Sequence, residues 1–416
     1  MRFLKQWPHI ELGAVCTKIG SGATPRGGAT VYVDDGPALI RSQNVYNGLF
    51  TADGLVHLKD EHAEQLRGVT VESGDVLLNI TGDSVARCCQ VPDWVLPARV
   101  NQHVAIVRPD PDQLLPEFLS YYFVSPLMQK YLLSRAGSGG TRNALPKRMI
   151  ETFEVPCPDV HLQQGIVDLL RNYDHLIENN RRRIQLLEQA ARLLYKEWFI
   201  HLRFPGHEHV TITDGVPEGW ERTTVVQVCT SFDDGDWIES KDQGGEDFRL
   251  LQISNIGDND FVETGNPRYI TAETFRNLRC NEVISGDILI SRMPKPIGRA
   301  WYVYEQPWRM ITAVDVTIAR PNPAIIDPFY YLYHLNSPTH LARCEVRATG
   351  ATRPRVSRRN MGALPLLKPP MSLQRNFGET ASSINAQRNA LTRQNERLTQ
   401  ARDLLLPRLM NGELVV

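Results

Sequence analysis

The stretch that decides the fold is "IVDLLRNYDHLIENNRRRIQLLEQAARLLYKEW", from Ile166 to Trp198. Its seam positions recur in steps that alternate between four and three, at Ile166, Leu170, Tyr173, Ile177, Asn180, Ile184, Leu187, Ala191, Leu194 and Trp198. All of them are apolar or aromatic except Asn180. A heptad pattern held over more than four heptads predicts a long helix whose apolar stripe packs against a second helix.

A second stretch near the C-terminus keeps the same phase, at Phe377, Ala381, Ile384, Arg388, Leu391, Asn395, Leu398, Arg402, Leu405 and Leu409. If the two helices lie antiparallel with Asn180 opposite Asn395, the two buried amides satisfy each other and fix the register, at a cost in stability. The facing pairs are then Ile166 and Leu409, Leu170 and Leu405, Ile177 and Leu398, Ile184 and Leu391, Ala191 and Ile384, and Leu194 and Ala381. The alternative is a parallel dimer of two chains, with Asn180 exposed at a frayed edge.

The two seams belong to a tandem repeat that covers nearly the whole chain. "WPHIELGAVCT" from Trp7 is echoed by "WERTTVVQVCT" from Trp220, and "SGDVLLNI" from Ser73 is echoed by "SGDILISR" from Ser285. "GGTR", ending at Arg142, becomes "GATR", ending at Arg353, and the offset stays between 211 and 213 throughout. A period this long is unlike that of a solenoid, so each copy is predicted to be a globular domain with a long helix attached.

The globular part of each copy carries short β-branched runs that are interrupted by Gly, Pro, Asp and Asn, as in "GDVLLNITG" and "HVAIVRP". These runs predict strands and turns. A short helix is expected at "PEFLSYYFVSP" and at its counterpart "PFYYLYHLNSP", and a proline-rich bridge then leads into each long helix. We therefore predict a pseudo-two-fold symmetric α+β protein. A globular domain at 1–157 is followed by a helix at 158–203. A linker and a second globular domain follow at 204–369, and a second helix with a C-terminal tail at 370–416. The two helices pack as an antiparallel coiled coil.

Composition excludes several classes of protein. No run of about 18 apolar residues is present, so no membrane contact is expected. The N-terminal "MRFLKQWPHIEL" lacks the apolar core of a signal peptide. Seven dispersed cysteines without a CxxC spacing indicate reduced thiols in a cytoplasmic protein. The formal net charge is −1, from 46 basic and 47 acidic residues, so only the clustering of charge could indicate a polyanionic partner.

The predicted helix from Ile166 to Trp198 would be about 48 Å long, at roughly 1.5 Å per residue. Two similar domains held apart by a rigid rod suit a polymer with two sites at a fixed distance. Duplex DNA is the natural candidate.

At this point the sequence resembles the specificity subunits of type I restriction–modification systems, over essentially the full chain. The resemblance rests on the two-copy layout, on "SGATP" in the first copy, and on "DGDWIESKDQG" followed by "RLLQISNIGDNDF" in the second. It also rests on the transitions "CPDVHLQQGIVDLL" and "KPPMSLQRNF", and on the helix ends "LLYKEWF" and "LLLPRLMNGEL". The second copy lacks "SGATP", as expected if each copy reads a different half-site.

The resemblance implies that each globular part is a target recognition domain and that the helices are spacers. It implies no catalytic activity. The implied partners are double-stranded DNA, two modification (methyltransferase) subunits and restriction (endonuclease/translocase) subunits, which the chain directs to a bipartite asymmetric site.

The glycine-rich "GSGATPRGG", Gly20 to Gly28, invites comparison with nucleotide-binding loops. It lacks the lysine of a P-loop, and Pro25 opposes the helix that a dinucleotide fingerprint would open. We interpret it as a loop in which Thr24 and Arg26 contact a phosphate or a base edge, against the alternative of an ordinary solvated turn.

Two further groups are candidate DNA contacts. The first is a pair of matching polar turns, because Gln and Asn read adenine and Arg reads guanine: Arg41, Gln43 and Asn44, with Gln252 and Asn255. The second is the basic run "ARCEVRATGATRPRVSRRN", together with its counterpart in the first copy: Arg353, Arg355, Arg358, Arg359, Arg142, Lys147 and Arg148. Weaker candidates are Arg292, Lys295, Trp237 and Lys241. The alternatives are ordinary turn chemistry and a solvated loop.

No catalytic, cofactor-binding or metal-binding residue is predicted. "ESK", Glu239 to Lys241, has the form of a nuclease core, but Asp233, Asp234 and Asp236 lie too close to provide the carboxylate of a separate strand. "HEH", His207 to His209, lacks a third ligand. Neither an NPPY-like tetrapeptide nor a glycine-rich loop suited to S-adenosylmethionine is present. The competing readings are a DNA-binding adaptor of another methylation or defence machine and a coiled-coil scaffold without DNA affinity.

Overall fold

The computed structural model describes residues 7–137, 144–263 and 265–414. The chain divides into two compact units, Met1–Arg181 with Thr392–Val416, and Arg182–Leu391. The division therefore falls inside both long helices. Across the residues described, no helix combines the length and the apolar character needed to cross a membrane.

The first unit contains the following strands: His9–Glu11, Cys16–Ser21, Tyr32–Ile40, Val45–Tyr46, Leu49–Phe50, Val56–Leu58, Thr70–Val71, Val76–Asn79, Cys88–Gln90, Ala98–Val100, Val104–Pro109 and Glu154–Pro156. Its shorter helices are Leu12–Val15, Asp60–Gln65, Pro116–Val124, Pro126–Gly137 and Lys147–Glu151. The first long helix, Val160–Tyr195, begins here and ends in a π-helical turn, Lys196–Ile200. The helix predicted at "PEFLSYYFVSP" is confirmed.

One antiparallel sheet of the first unit has the strand order Cys16–Ser21, Val104–Pro109, Val76–Asn79, Cys88–Gln90. Alternate residues of a strand point to opposite sides of a sheet, and both sides of this sheet are buried. Val76 and Leu78 enter one hydrophobic core, and Leu77 enters the other. A second sheet has the order Val56–Leu58, Tyr32–Ile40, Ala98–Val100, Thr70–Val71.

The second unit contains these strands: Ile212–Thr213, Val216–Pro217, Glu221–Thr224, Cys229–Asp234, Phe248–Leu251, Tyr269–Ile270, Ile288–Ser291, Ala300–Tyr302, Met310–Thr312, Val316–Pro321 and Pro365–Lys368. Its helices are Ala272–Leu278, Pro328–Leu335, Pro338–Val346 and Arg358–Gly362, and most of the second long helix, Met371–Met410, which continues into the first unit.

The second unit repeats the plan of the first. Its four-stranded sheet has the equivalent order, Cys229–Asp234, Val316–Pro321, Ile288–Ser291, Ala300–Tyr302. The strand that begins at Val104 corresponds to the one that begins at Val316, an offset of 212. The alternation also recurs, since Ile288 and Ile290 enter one core and Leu289 the other. The predicted α+β class and tandem duplication are confirmed.

In the first unit the two long helices run antiparallel, as predicted. Asn180 is 4% exposed, and its Nδ2 donates to Asn395 Oδ1 at 3.0 Å. Asn395 Nδ2 in turn donates to the Ile177 carbonyl at 3.2 Å. Six residues earlier on the first helix, Asp174 pairs with Arg402 on the second at 2.6 Å. The predicted register, with Asn180 opposite Asn395, is confirmed.

The same antiparallel packing continues in the second unit. Arg388 pairs with Glu188 at 2.5 Å, and the Tyr195 and Phe377 rings pack with centroids 5.8 Å apart. The two arginines that interrupt the second seam thus have carboxylate partners on the first helix, which compensates their charge where the seam is otherwise apolar.

A repeated glutamine fixes the start of each long helix to the globular part of its own unit. Gln163 is fully buried, accepts from the Leu115 amide at 2.8 Å and donates to the Gln113 and Pro158 carbonyls, both at 2.8 Å. Gln374, at the equivalent position, accepts from the Asp327 amide at 3.0 Å and donates to the Pro369 carbonyl at 2.7 Å. The "LQ" common to both transitions therefore has a structural role.

Candidate nucleic-acid interface

The repeated "SGD" and "RP" motifs of the two copies form a buried ion pair in each unit. Asp75 is fully buried and receives two hydrogen bonds from Arg108, at 2.6 and 2.9 Å. Asp287 is 1% exposed and receives the same pair of bonds from Arg320, at 2.7 and 2.8 Å. Bidentate geometry of this kind compensates the burial of a carboxylate. The motifs shared by the copies therefore stabilise the fold.

The asparagines of the matching polar turns are also held inside the fold. Asn44 is fully buried, accepts from the Arg41 amide at 3.0 Å and donates to the Thr51 carbonyl at 3.0 Å. Asn255 is 5% exposed, accepts from the Gln252 amide at 2.8 Å and donates to the Val262 carbonyl at 2.9 Å. Both side chains close a short 3₁₀ turn, and the predicted contact of each with DNA stays a prediction.

The neighbours of these asparagines are differently placed. Gln43 is exposed, whereas Arg41 and Gln252 are half-buried. Arg41 Nη2 donates to the Gly54 carbonyl. Gln43 Nε2 donates at 3.3 and 3.4 Å to the Asp53 and Gly54 carbonyls. Gln43 is nevertheless the most exposed of the predicted side chains on these turns.

Gln43 lies on a polar concavity of ≈ 970 Å³ in the first unit. The lining residues are Ser42, Gln43, Tyr46, Thr81, Gly82, Asp83, Ser84, Arg87, His103 and Ala144. The Arg87 guanidinium lies over the Tyr46 ring, 4.7 Å from its centroid. His103 Nδ1 lies 2.6 Å from the Thr81 hydroxyl. Tyr46, Arg87 and His103 were not among the residues predicted from the sequence. Tyr46 and His103 differ from the aligned residues of the second copy, and this difference was a usable signal.

The glycine-rich loop adjoins this concavity. The Thr24 hydroxyl donates to Gln102 Oε1, and Gln102 Nε2 lies 3.2 Å from His103 Nε2. The amides of Gly22 and Ala23 donate to the Val104 and Val100 carbonyls, both at 3.1 Å, so neither is available to a phosphate. Arg26 is exposed. The loop thus adjoins the polar concavity through Gln102 and His103, and two of its amides are already bonded to backbone carbonyls.

The other basic candidates of the first copy lie elsewhere on that unit. Lys147 and Arg148 are exposed at the start of the helix Lys147–Glu151, where Lys147 pairs with Glu151 at 3.5 Å. Arg142 lies outside the described residues.

In the second unit, three arginines of the predicted set are neutralised by aspartates. Arg292 is 2% exposed and lies 3.2 Å from Asp234 and 3.6 Å from Asp315. Burial lowers the pKa of Arg292, and the two carboxylates oppose that shift. Arg355 pairs with Asp315 at 2.9 Å, and Arg358 approaches Asp234 at 3.4 Å.

Arg353 and Arg359 belong to the same basic run but differ in their surroundings. Both are exposed, and among the described residues neither side chain has an ion-pair or hydrogen-bond partner. Of the four predicted contacts in this run they are the two without a carboxylate partner, so their charge is open to a polyanion, whereas Arg292 is enclosed by protein.

The remaining candidates are on the surface of the second unit. Trp237 is 72% exposed. Lys241 pairs with Glu239 at 2.8 Å, and Lys295 with Glu345 at 2.8 Å. Among residues 7–137, 144–263 and 265–414, the structure contains no cluster of three or more His, Cys, Asp or Glu side chains that could hold a metal ion.

Comparison with known proteins identifies related sequences. Residues 5–189 match the family described as "Type I restriction modification DNA specificity domain". The chain is 24% identical over 331 residues to the type I restriction enzyme MjaIX specificity subunit of Methanocaldococcus jannaschii, covering 77% of this chain and 74% of that protein. It is 21% identical over 492 residues to the HindI specificity subunit of Haemophilus influenzae, covering 99% of this chain and 100% of that protein.

A solved structure has the same fold. The crystal structure of a type I restriction–modification system S subunit from M. genitalium superposes with a TM-score of 0.59 and 16% identity, covering 98% of this chain and 96% of that one.

Proposed function

We propose that the whole chain is the DNA-recognition subunit of a type I restriction–modification system, because residues 5–189 match the DNA specificity domain of such systems. In this proposal it reads a bipartite, asymmetric site on double-stranded DNA. The globular parts at 1–157 and 204–369 are the two target recognition domains, one for each half-site. The long helices are the spacer that sets the distance between the half-sites.

The observation that carries the proposal is the contrast between a repeated framework and different side chains upon it. The two units share sheet order, the buried Asp–Arg pair and the glutamine at the helix start. They differ at the polar concavity, where Tyr46 and His103 of the first unit align with Gly257 and Asp315 of the second. Two copies of one framework with different lining residues suit the reading of two different half-sites.

The side chains proposed to contact DNA are those that the fold leaves exposed. In the first unit they are Thr24, Arg26, Gln43, Lys147 and Arg148. In the second unit they are Trp237, Lys241, Lys295, Arg353 and Arg359. Arginine and lysine neutralise phosphates, and the polar and aromatic side chains contact base edges or stack on bases. Arg41 and Gln252 are half-buried and would contribute only if DNA reaches them. Arg355 and Arg358 are exposed but pair with aspartates, as Lys147, Lys241 and Lys295 pair with glutamates, so DNA would have to displace these carboxylates.

The chain is proposed to have no catalytic activity and to need no cofactor. Modification subunits would supply methyl transfer, and restriction subunits would supply cleavage and translocation. The chain would direct both to DNA in a cytoplasmic complex. Its relationship to proteins named as specificity subunits supports this division of roles.

A gel-shift experiment tests the proposal. The full chain is incubated with long duplex DNA, alone and with the modification subunits of its host, with unrelated duplex as competitor. We expect a shifted complex that forms only with DNA carrying the bipartite site and tightens when the modification subunits are present. A complex that ignores those subunits would indicate an adaptor of another machine, and no shift under any condition would indicate a scaffold without DNA affinity.

A further inference from the structure

Arg87 is placed as a ligand-reading side chain and has no evident role in stabilising the fold. It lines the polar concavity of the first unit and is half-buried. Its guanidinium is supported from one side by the Tyr46 ring, at 4.7 Å. Among the described residues, no carboxylate or carbonyl accepts a hydrogen bond from the Arg87 side chain. A guanidinium over an aromatic face is stabilised without using its N–H donors, which stay free for a ligand.

The equivalent arginine of the second unit has a different environment. Arg299 aligns with Arg87 at an offset of 212, since each directly precedes the fourth strand of its sheet. Arg299 is 9% exposed and donates to the carbonyls of Ile253, Ile256, Pro294 and Pro296, at 2.9, 2.6, 2.7 and 3.2 Å. There the arginine fastens two loops together. The first unit folds without such bonds, so its arginine is available for another role.

The charge of the concavity favours a base edge over a phosphate as the group that Arg87 contacts. Among the described residues, the lining contains one arginine and one aspartate, Asp83, together with hydroxyl and amide groups and the imidazole of His103. A site for phosphate needs an excess of positive charge, whereas in this described lining Arg87 is balanced by Asp83. A guanidinium fork beside an exposed amide suits the paired acceptors of a guanine, O6 and N7, and the neighbouring base.

We infer that Arg87, held on Tyr46 and assisted by Gln43, reads a guanine in the half-site bound by the first unit. This inference rests on the proposed function. The second unit has no equivalent base-contacting arginine, because Arg299 is hydrogen-bonded to backbone carbonyls and Gly257 is at the position equivalent to Tyr46. Guanine selection through this position is therefore confined to one half-site.

Selection from a randomised duplex library tests the inference, using the full chain with its modification subunits. Arg87→Ala should lower the preference for guanine at one position of the first half-site by roughly tenfold to a hundredfold. Arg87→Gln should shift the preference at that position toward adenine. Arg87→Lys keeps the charge but loses the fork, so guanine selectivity should fall while the salt dependence of binding stays constant. Arg67→Ala, an exposed arginine of the same unit, is the matched control and should change nothing.

The outcomes separate the inference from the function on which it rests. If the wild-type complex selects no sequence, the proposed function fails. If it selects a bipartite site but Arg87→Ala and Arg87→Gln retain guanine at every position, the inference is overturned and the function stands. The inference is also overturned if Arg87→Lys behaves as wild type, since the residue would then act as a simple charge. Thermal melting of each variant identifies misfolding, and Arg87→Gln and Arg87→Lys preserve the bulk of the side chain if Arg87→Ala unfolds.

Discussion

Replacing the two asparagines that pair between the long helices, the buried Asn180 and the half-buried Asn395, by leucine tests how the register is set. Asn180→Leu removes the donor to Asn395 Oδ1 at 3.0 Å and to Gln394 Oε1 at 3.3 Å. A buried polar group without a partner costs about 1–3 kcal/mol. Asn395→Leu leaves Asn180 with its contact to Gln394, so we expect it to be the milder of the two single variants. The double variant leaves neither amide unpaired.

The double-mutant cycle should therefore give a favourable interaction free energy of about 1–3 kcal/mol between the two leucines. The double variant should be at least as stable as the wild type, because apolar pairs replace a buried polar one. Its register should be looser, since apolar seams tolerate sliding more readily than a paired amide does.

The assay is urea denaturation of the full chain, with hydrogen exchange of peptides from residues 166–181 to follow the first unit specifically. Asn179→Leu is the matched control, because Asn179 is adjacent on the helix but exposed, and its effect should be within about 0.5 kcal/mol. Register is read from the distance between spin labels at positions 178 and 397, whose distribution should broaden in the double variant. Additive single effects, with a coupling below about 0.5 kcal/mol, would refute the reasoning.

Three further predictions concern the helix junction, the acid stability of the second unit and its basic surface. Gln163→Leu should lower the free energy of unfolding by roughly 3 kcal/mol in urea titrations, because it removes three hydrogen bonds made by a fully buried side chain. The exposed neighbour is the control, and Gln164→Leu should change the free energy by under about 0.5 kcal/mol. Burial lowers the pKa of His334 from 6.5 to about 4, and that of His340 also lies well below its usual value. As the pH falls, these histidines are protonated in the unfolded chain before they are protonated in the folded one. The second unit should therefore keep its full stability above pH 6.5 and lose roughly 3 kcal/mol through His334 alone as the pH falls toward 4. Denaturation at a series of pH values measures this loss. If Arg353 and Arg359 neutralise phosphates, changing either to Ala should reduce the slope of log K against log salt by about 0.9 without altering the bases selected, and an unchanged slope would exclude that role.

The helix pairing could be predicted from the sequence because its determinants are periodic. The spacing from Ile166 to Trp198 specifies an apolar stripe along a helix. One asparagine in the seam of each copy specifies how the two helices are aligned. The arginines of the second seam looked like interruptions, since their partners Glu188 and Asp174 lie off the seam of the other helix. The repeat likewise predicted two units with one plan.

Side-chain environments at the candidate interface could not be predicted in this way. Arg292 and Arg355 looked like free positive charge, but Asp234 and Asp315 reach them from distant parts of the chain. Asn44 and Asn255 looked like base readers because the same amide that reads adenine also closes a turn. Conversely, Arg87 and Arg299 are the same residue at the same place in the repeat, and only their neighbours in three dimensions distinguish them.

Genome-wide mapping of methylated bases in the host, with and without this chain, tests the central proposal most directly. We expect one bipartite motif, two defined half-sites with an unspecified spacer of fixed length, whose methylation disappears on deletion and returns on complementation. Arg87→Gln should then return the motif with a changed base in one half-site only. A methylation pattern that is the same with and without the chain would exclude the chain as the subunit that selects the modified sites.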